Sequence, residues 1–238
     1  MGRSKDLATL KSGLSIDGTL TTTSTGTNLT SNSYNVVKIQ TDKDDNGSND
    51  DAILQFTTGS SNTVKGELRY DESESKFEIG HGDNQGHISI DSSGRVTKPN
   101  QPSFYAYRAS SNYTTTASGF QKALLTGTRW NTGSHFDTTN NRFTAPIEGV
   151  YHFDGGVNRY YMPVGTFFRV ALYVNGSLYI FGHVDYVSTT SDLKYCVSST
   201  IKLNANDYVE LWSYTNTTTS NGFSNGETWN TLSGFLVG

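Results

Sequence analysis

Among the residues of this sequence that could do chemistry, the densest group is acidic. Asp42, Asp44 and Asn46, followed by Gly47, place oxygen ligands at alternate positions around a sharp turn, the arrangement a hard cation such as calcium requires. The pattern breaks at its twelfth position, where a bidentate Glu would close the loop and Ile53 stands instead. The run therefore reads as a solvated acidic turn, with Asp42, Asp44 and Asn46 as the only candidates for a metal; no other cofactor is expected. His81, His87, His135, His152 and His183 are scattered, with no pair at helical ligand spacing, and no Gly-x-Ser-x-Gly turn is present. No catalytic set can be assembled, and the chain is expected not to be an enzyme. Glu72 and Glu74 are a carboxylate pair of the kind a glycosidase uses, but in so turn-rich a segment they read as a solvated face. The single cysteine, Cys196, excludes an intrachain disulfide. It sits between Tyr195 and Val197 with no local cation to lower its pKa, and is expected to be a buried packing residue.

Two segments carry aromatic rings among hydrogen-bonding side chains, the mixture that stacks on sugars or anchors a protein surface. One is Asn158-Arg159-Tyr160-Tyr161-Met162-Pro163; the other runs from Thr215 through Asn221, Phe223 and Glu227 to Trp229. Arg159, Tyr160, Tyr161, Asn221, Phe223 and Trp229 are the receptor-binding candidates.

These residues need elements to hold them, and the chain supplies strands. A length of 238 residues, 34% of them apolar, allows one fully cored domain and something smaller. The aromatic and aliphatic residues crowd between Phe104 and Phe235, while the first hundred are mostly Ser, Thr, Asn, Asp and Gly. Leu7, Leu10 and Leu14 are spaced to share one face of a short N-terminal helix or a single heptad, which would be stable only if copies from several chains pack together or if it docks on a larger body. Short strands are expected at 34–40, 52–56, 64–70, 76–79, 87–90 and 95–97, with too few apolar side chains to cover a sheet face from one chain. Pro99 to Pro102 reads as a hinge. Beyond it, strands are expected at 104–109, 120–127, 130–136, 149–161, 166–174, 177–186, 194–203, 207–214 and 231–237. Asn175-Gly176 is the strongest two-residue hairpin signal among them. So many short strands at this spacing predict an all-β sandwich or barrel.

From Pro102 to the C-terminus the sequence resembles the complement C1q-like globular head, a relative of the tumour necrosis factor jelly roll. The residues that carry the likeness are Pro102-Ser103-Phe104-Tyr105-Ala106, Phe143-Thr144-Ala145-Pro146 followed by Gly149-Val150-Tyr151-His152-Phe153, Val174-Asn175-Gly176, Leu203 with Asp207-Tyr208-Val209, and Ser233-Gly234-Phe235-Leu236-Val237. Asn206 stands where that family has Gly, a substitution that its tolerance of positive φ permits. The resemblance implies a homotrimer with the chain ends together at the base of the head and a free tip opposite. It also implies that Phe143, Tyr151, Phe153 and Phe235 belong to the core or the trimer axis. There is no Gly-X-Y period for a collagen stalk. Instead, Gly66-Glu67-Leu68-Arg69-Tyr70-Asp71 and Ile88 to Thr97 resemble phrases in bacteriophage tail-fibre shafts, of the marine phage type.

The expected organisation is therefore an attachment segment (1–32), a slender β-rich trimeric shaft (33–98), a hinge (99–102) and a jelly-roll head (103–238). The expected function is that of a homotrimeric phage fibre on the virion, extracellular when it acts, whose head binds a host-surface glycan or protein and whose N-terminal segment holds other virion proteins. A capsid or tail decoration protein without a dedicated receptor is the alternative, and a polysaccharide-degrading tailspike a further one. A net charge of -4 without any Lys/Arg run argues against a nucleic-acid or membrane partner. No apolar leader follows Met1, so no secretion signal is expected.

Overall fold

A computed structural model describes residues 51–58, 63–82 and 84–238, all within one compact unit. The N-terminal helix, the strand at 34–40 and the calcium candidates Asp42, Asp44 and Asn46 lie outside the described residues. Those that are described form strands and no helix.

The first sheet is a five-stranded antiparallel meander of β1 (Ala52–Thr58), β2 (Thr63–Asp71), β3 (Lys76–His81), β4 (Asn84–Asp91) and β5 (Val96–Thr97), in that order. Its register sorts side chains onto two unlike faces, because side chains alternate with a period of two along each strand. Leu54, Leu68, Ile79 and Ile88 stand directly opposite one another in one row, and Ala52, Tyr70, Phe77, Ile90 and Val96 form the next row on the same face. This face is bare: Leu54, Phe56, Tyr70, Phe77, Ile79 and Val96 are all exposed. The expectation of too few apolar residues is thus corrected, since cross-strand pairing gathers them into a continuous surface. The opposite face is charged and laced by ion pairs, although Glu67 Oε1 and Arg69 Nε are buried there without a partner. Arg69 pairs with Glu78 at 2.6 Å, Asp71 at 2.9 Å and Asp51 at 3.0 Å, while Ser89 donates to Glu78 and Gln55 to Glu67.

The segment from Pro99 to Pro102 makes contacts on both sides. Asn100 Nδ2 lies 3.2 Å from His87 Nδ1, Gln101 donates to the Leu236 carbonyl, and the Leu236 amide donates to the Pro102 carbonyl.

The remaining strands are β6 (Ser103–Arg108), β7 (Tyr113–Thr115), β8 (Gly119–Lys122), β9 (Gly127–Thr132), β10 (Phe136–Asp137), β11 (Arg142–Thr144), β12 (Gly149–Met162), β13 (Phe167–Val174), β14 (Ser177–Tyr186), β15 (Ser191–Leu203), β16 (Tyr208–Thr215), β17 (Asn221–Phe223) and β18 (Gly226–Leu236). They form a jelly-roll sandwich. One sheet runs β10-β11-β16-β13-β14 with β8 also on β16; the other runs β7-β17-β12-β18-β6-β9 with β15 also on β12. Apart from the β13–β14 hairpin, the chain crosses between sheets from β11 to β12, β13, β15, β16 and β18 in turn, which is jelly-roll winding. The hairpin forms at Asn175 and Gly176, both at positive φ, and Asn206 has φ 72° as its turn requires.

Two expected strands are broken. The 120–127 segment passes from the β16 sheet to the β6 sheet and cannot be one strand, and the 130–136 segment is interrupted at Gly133 and Ser134, both at positive φ. Between the sheets lie Phe104, Phe136, Phe143, Tyr151 and Phe153, with Phe104 stacked 5.0 Å from both Phe136 and Phe143. Of the four residues expected in the core or on the trimer axis, Phe235 lies outside this core, exposed on the outer face beside His152.

Candidate functional site

The register fixes which end of the sandwich is which. Ser103 pairs with Phe235 and Gly149 with Leu203 where the chain comes in, while Arg108 pairs with Gly226 and Met162 with Ser191 at the far end. Arg159, Tyr160, Tyr161, Asn221 and Phe223 all lie at that far end, on β12 and β17, which pair directly.

They divide by burial. Arg159 has no exposed surface, and Asn221 and Phe223 are equally enclosed, so these three are structural and do not meet a ligand in the folded subunit. The guanidinium lies 3.9 Å from the Phe223 ring centroid and donates to Asn221 Oδ1, Gln121 Oε1 and Ser213 Oγ. Its acceptors are all neutral, and burial pushes its pKa down to about 9. Asn221 in turn donates to the Thr219 carbonyl, which holds the returning loop over the cation.

Tyr160 and Tyr161 sit above this plug. Tyr160 Oη lies 2.5 Å from Thr114 Oγ1, tying β12 to β7. Tyr161 stands edge-on to it at 5.6 Å, with φ 54° and 69% of its surface exposed, at a register shift between Arg159 and Met162. A bulky residue in the left-handed region costs energy, and such strain concentrates at binding sites. The Tyr161 amide donates to Asp192 Oδ1, so the bulge is held from the neighbouring strand. Tyr113 and Val164 are exposed at the same end. Sequence reasoning missed both, although Asn112-Tyr113-Thr114 carried an aromatic, β-branched signal. Trp229 is exposed but lies in a separate bulge of β18 between Gly226 and Thr231, next to an Arg129–Glu227 ion pair. The structure does not bring it into ring contact with Tyr160 or Tyr161.

Cys196 is exposed, not buried. The β12–β15 register puts Val197 inward, so its neighbour must face out, where it borders a shallow depression of about 460 Å³ with Gly156, Lys194 and Ser198. On the same face His152 Nε2 meets Asp154 at 3.0 Å and Ser198 at 3.4 Å, with Thr200 on Nδ1. Both acid and hydroxyl share one nitrogen, so no proton relay of the nucleophile–base–acid kind is set up. Among the described residues no group of three His, Cys, Asp or Glu side chains is arranged to hold a metal, and no helix is long and apolar enough to cross a membrane.

No family model matches the sequence. An uncharacterized protein of Bacillus subtilis (strain 168), YqcC, is 31% identical over 86 residues, 34% of this chain. The chain spans about a quarter of that relative's length. Among solved structures, the chain is similar to the globular domain of zebrafish complement 1qA at 18% identity (TM-score 0.42; 58% of this chain, 98% of that one). It is also similar to the Eiger TNF of S. frugiperda at 10% identity (TM-score 0.46; 58% and 94%) and to murine APRIL at 10% identity (TM-score 0.43; 58% and 99%).

Proposed function

We propose that this chain is the subunit of a homotrimeric phage fibre, carried on the virion, whose head binds a host-surface receptor. In this reading residues 1–32 attach to other virion proteins, 33–98 form the shaft and 103–238 form the head. The observation that carries it is the bare apolar face of the five-stranded sheet. Two rows of cross-strand apolar side chains leave Leu54, Phe56, Tyr70, Phe77, Ile79 and Val96 exposed, while the charged face carries the Arg69 ion pairs. A surface of this kind costs roughly 25 cal/mol for every Å² left in water, and soluble chains cover such patches with a partner. Three copies around one axis would bury it. The strained, exposed Tyr161 at the end away from the shaft supports a receptor at the tip.

The test is the solution mass of the full chain by light scattering, with and without a chelator. A mass near three times 26.1 kDa that survives chelation is expected. A stable monomer would overturn the fibre reading, because the shaft face would then stand open to water.

A further inference from the structure

The outer face of the second sheet holds an arginine boxed by rings and left without an anion. The Arg169 guanidinium lies 4.2 Å from the ring centroid of Phe181, 4.8 Å from Tyr214, 5.3 Å from Phe167 and 5.4 Å from Phe120. Phe167 continues the surface to Tyr186 at 5.0 Å, which is 64% exposed and stands at the end of β14 nearest the tip. Elsewhere in the chain Arg69, Arg95 and Arg129 each pair with a carboxylate. Among the described residues the Arg169 side chain makes neither an ion pair nor a hydrogen bond, and its Nε is buried with no partner. Ring faces satisfy a guanidinium from above and below its plane; with Nε enclosed, the two Nη groups are the donors left to take a carboxylate in the two-pronged manner.

We propose that this face is a saccharide-binding platform for an acidic sugar, a hexuronate residue of a surface polysaccharide. The carboxylate would bond to Arg169 and the C–H face of the pyranose ring would lie against Tyr186 and Phe181. A pyranose presents apolar C–H groups to the electron-rich face of an aromatic ring, which suits a row of half-buried rings better than a polar partner does. One isolated cation fits one carboxylate. Of the other Lys and Arg residues on this sheet, Lys122 is already bound to Glu210 at 2.5 Å and Arg142 lies over the Tyr208 ring, and a net charge of -4 disfavours the closely spaced phosphates of nucleic acid. The inference rests on the receptor-binding reading and gives it a ligand class and a place distinct from the tip.

The experiment is titration of the full-length protein with oligogalacturonate and with its methyl-esterified form, following the fluorescence of Trp212, whose ring stacks 4.8 Å from Tyr173 on the same face. Binding of the free acid is expected to be at least tenfold tighter than that of the ester. Arg169→Gln should remove that preference and Tyr186→Ser should weaken both forms, with Lys65→Ser, an exposed position on β2, leaving both unchanged. Because Arg169 is packed among rings, its variant is first compared with the parent by thermal unfolding; Tyr186, being exposed, serves as the variant that keeps the fold. Equal affinity for acid and ester, or full binding by Tyr186→Ser, would overturn the proposal. If the protein adheres to host cells and Tyr161→Ser abolishes adhesion while Arg169→Gln does not, the receptor reading stands and this site falls. Absence of adhesion and of saccharide binding removes both.

Discussion

The Arg159 guanidinium lies over the Phe223 ring and hydrogen-bonds only to neutral oxygens, so the tip of the head is built on a buried cation with no counter-charge. The Ser213 hydroxyl accepts from both Nε and Nη2 and is the acceptor whose loss leaves most of the charge unsatisfied. Ser213→Ala should cost about 2 kcal/mol in urea unfolding, the range for a hydrogen bond to a charged group. Combined with Arg159→Met, the loss should be smaller than the sum of the two single variants, because the unpaired acceptors then face no charge. Strict additivity would show that the hydroxyl does not serve the cation.

Gly182 is where β14 passes over β15. A Cβ there would run into the Cys196 carbonyl oxygen and the Val197 side chain. Gly182→Ala is therefore expected to lower stability by about 1–3 kcal/mol through overpacking against backbone, measured as a shift in the denaturant midpoint. A neutral result would mean the two strands can separate without loss.

Tyr161 should show opposite effects on stability and binding. Since its φ of 54° is the left-handed conformation that glycine adopts freely, Tyr161→Gly should raise thermal stability by about 1 kcal/mol. If the tip contacts the receptor, the same variant should adhere less well to host cells. Unchanged adhesion would place the contact elsewhere, with the Arg169 face as the first alternative.

Acid should loosen the head through its turns. The Asp207 pKa is held below the ordinary value of 3.8, first by the Asn175 side-chain amide and then by the Asn204 backbone amide. The Asn140 backbone and side-chain amides hold Asp137 down in the same way. A depressed carboxylate stabilises the fold fully above its unfolded pKa, and that contribution is lost as pH falls through the folded value. Stability from these groups should thus be flat from pH 7 to about 5 and decline below about 4. Asp207→Asn should flatten part of that decline; an unchanged acid limb would show that Asp207 does not carry it.

The bare face of the five-stranded sheet gives the sharpest test of assembly. Ile79→Glu puts a charge in the middle of the Leu54, Leu68, Ile79, Ile88 row. The concentration at which the assembly dissociates should rise at least tenfold in light scattering. Lys65→Glu, an exposed substitution on β2, should leave it unchanged.

Much of the architecture could be read from residues in order. Alternation within single strands and turn residues at fixed offsets are local properties, so β12 to β16 and the Asn175-Gly176 hairpin followed from the sequence, whereas the positive φ at Asn206 and a place for Phe143, Tyr151 and Phe153 in the core or on the trimer axis were implied by the resemblance to C1q-like heads. What alternation does not determine is which of a strand's two faces is covered, since that depends on partners far away in the chain. Tyr195-Cys196-Val197 has the same parity whichever side faces in; pairing with β12 turned Cys196 outward. Arg159 reads as a surface cation until β17 returns some sixty residues later to roof it with Asn221 and Phe223. The exposed rows of the first sheet and the boxed Arg169 arise in the same way. Each gathers residues from several strands whose spacing along the chain carries no trace of their contact, and only the register of non-local pairs brings them to one surface.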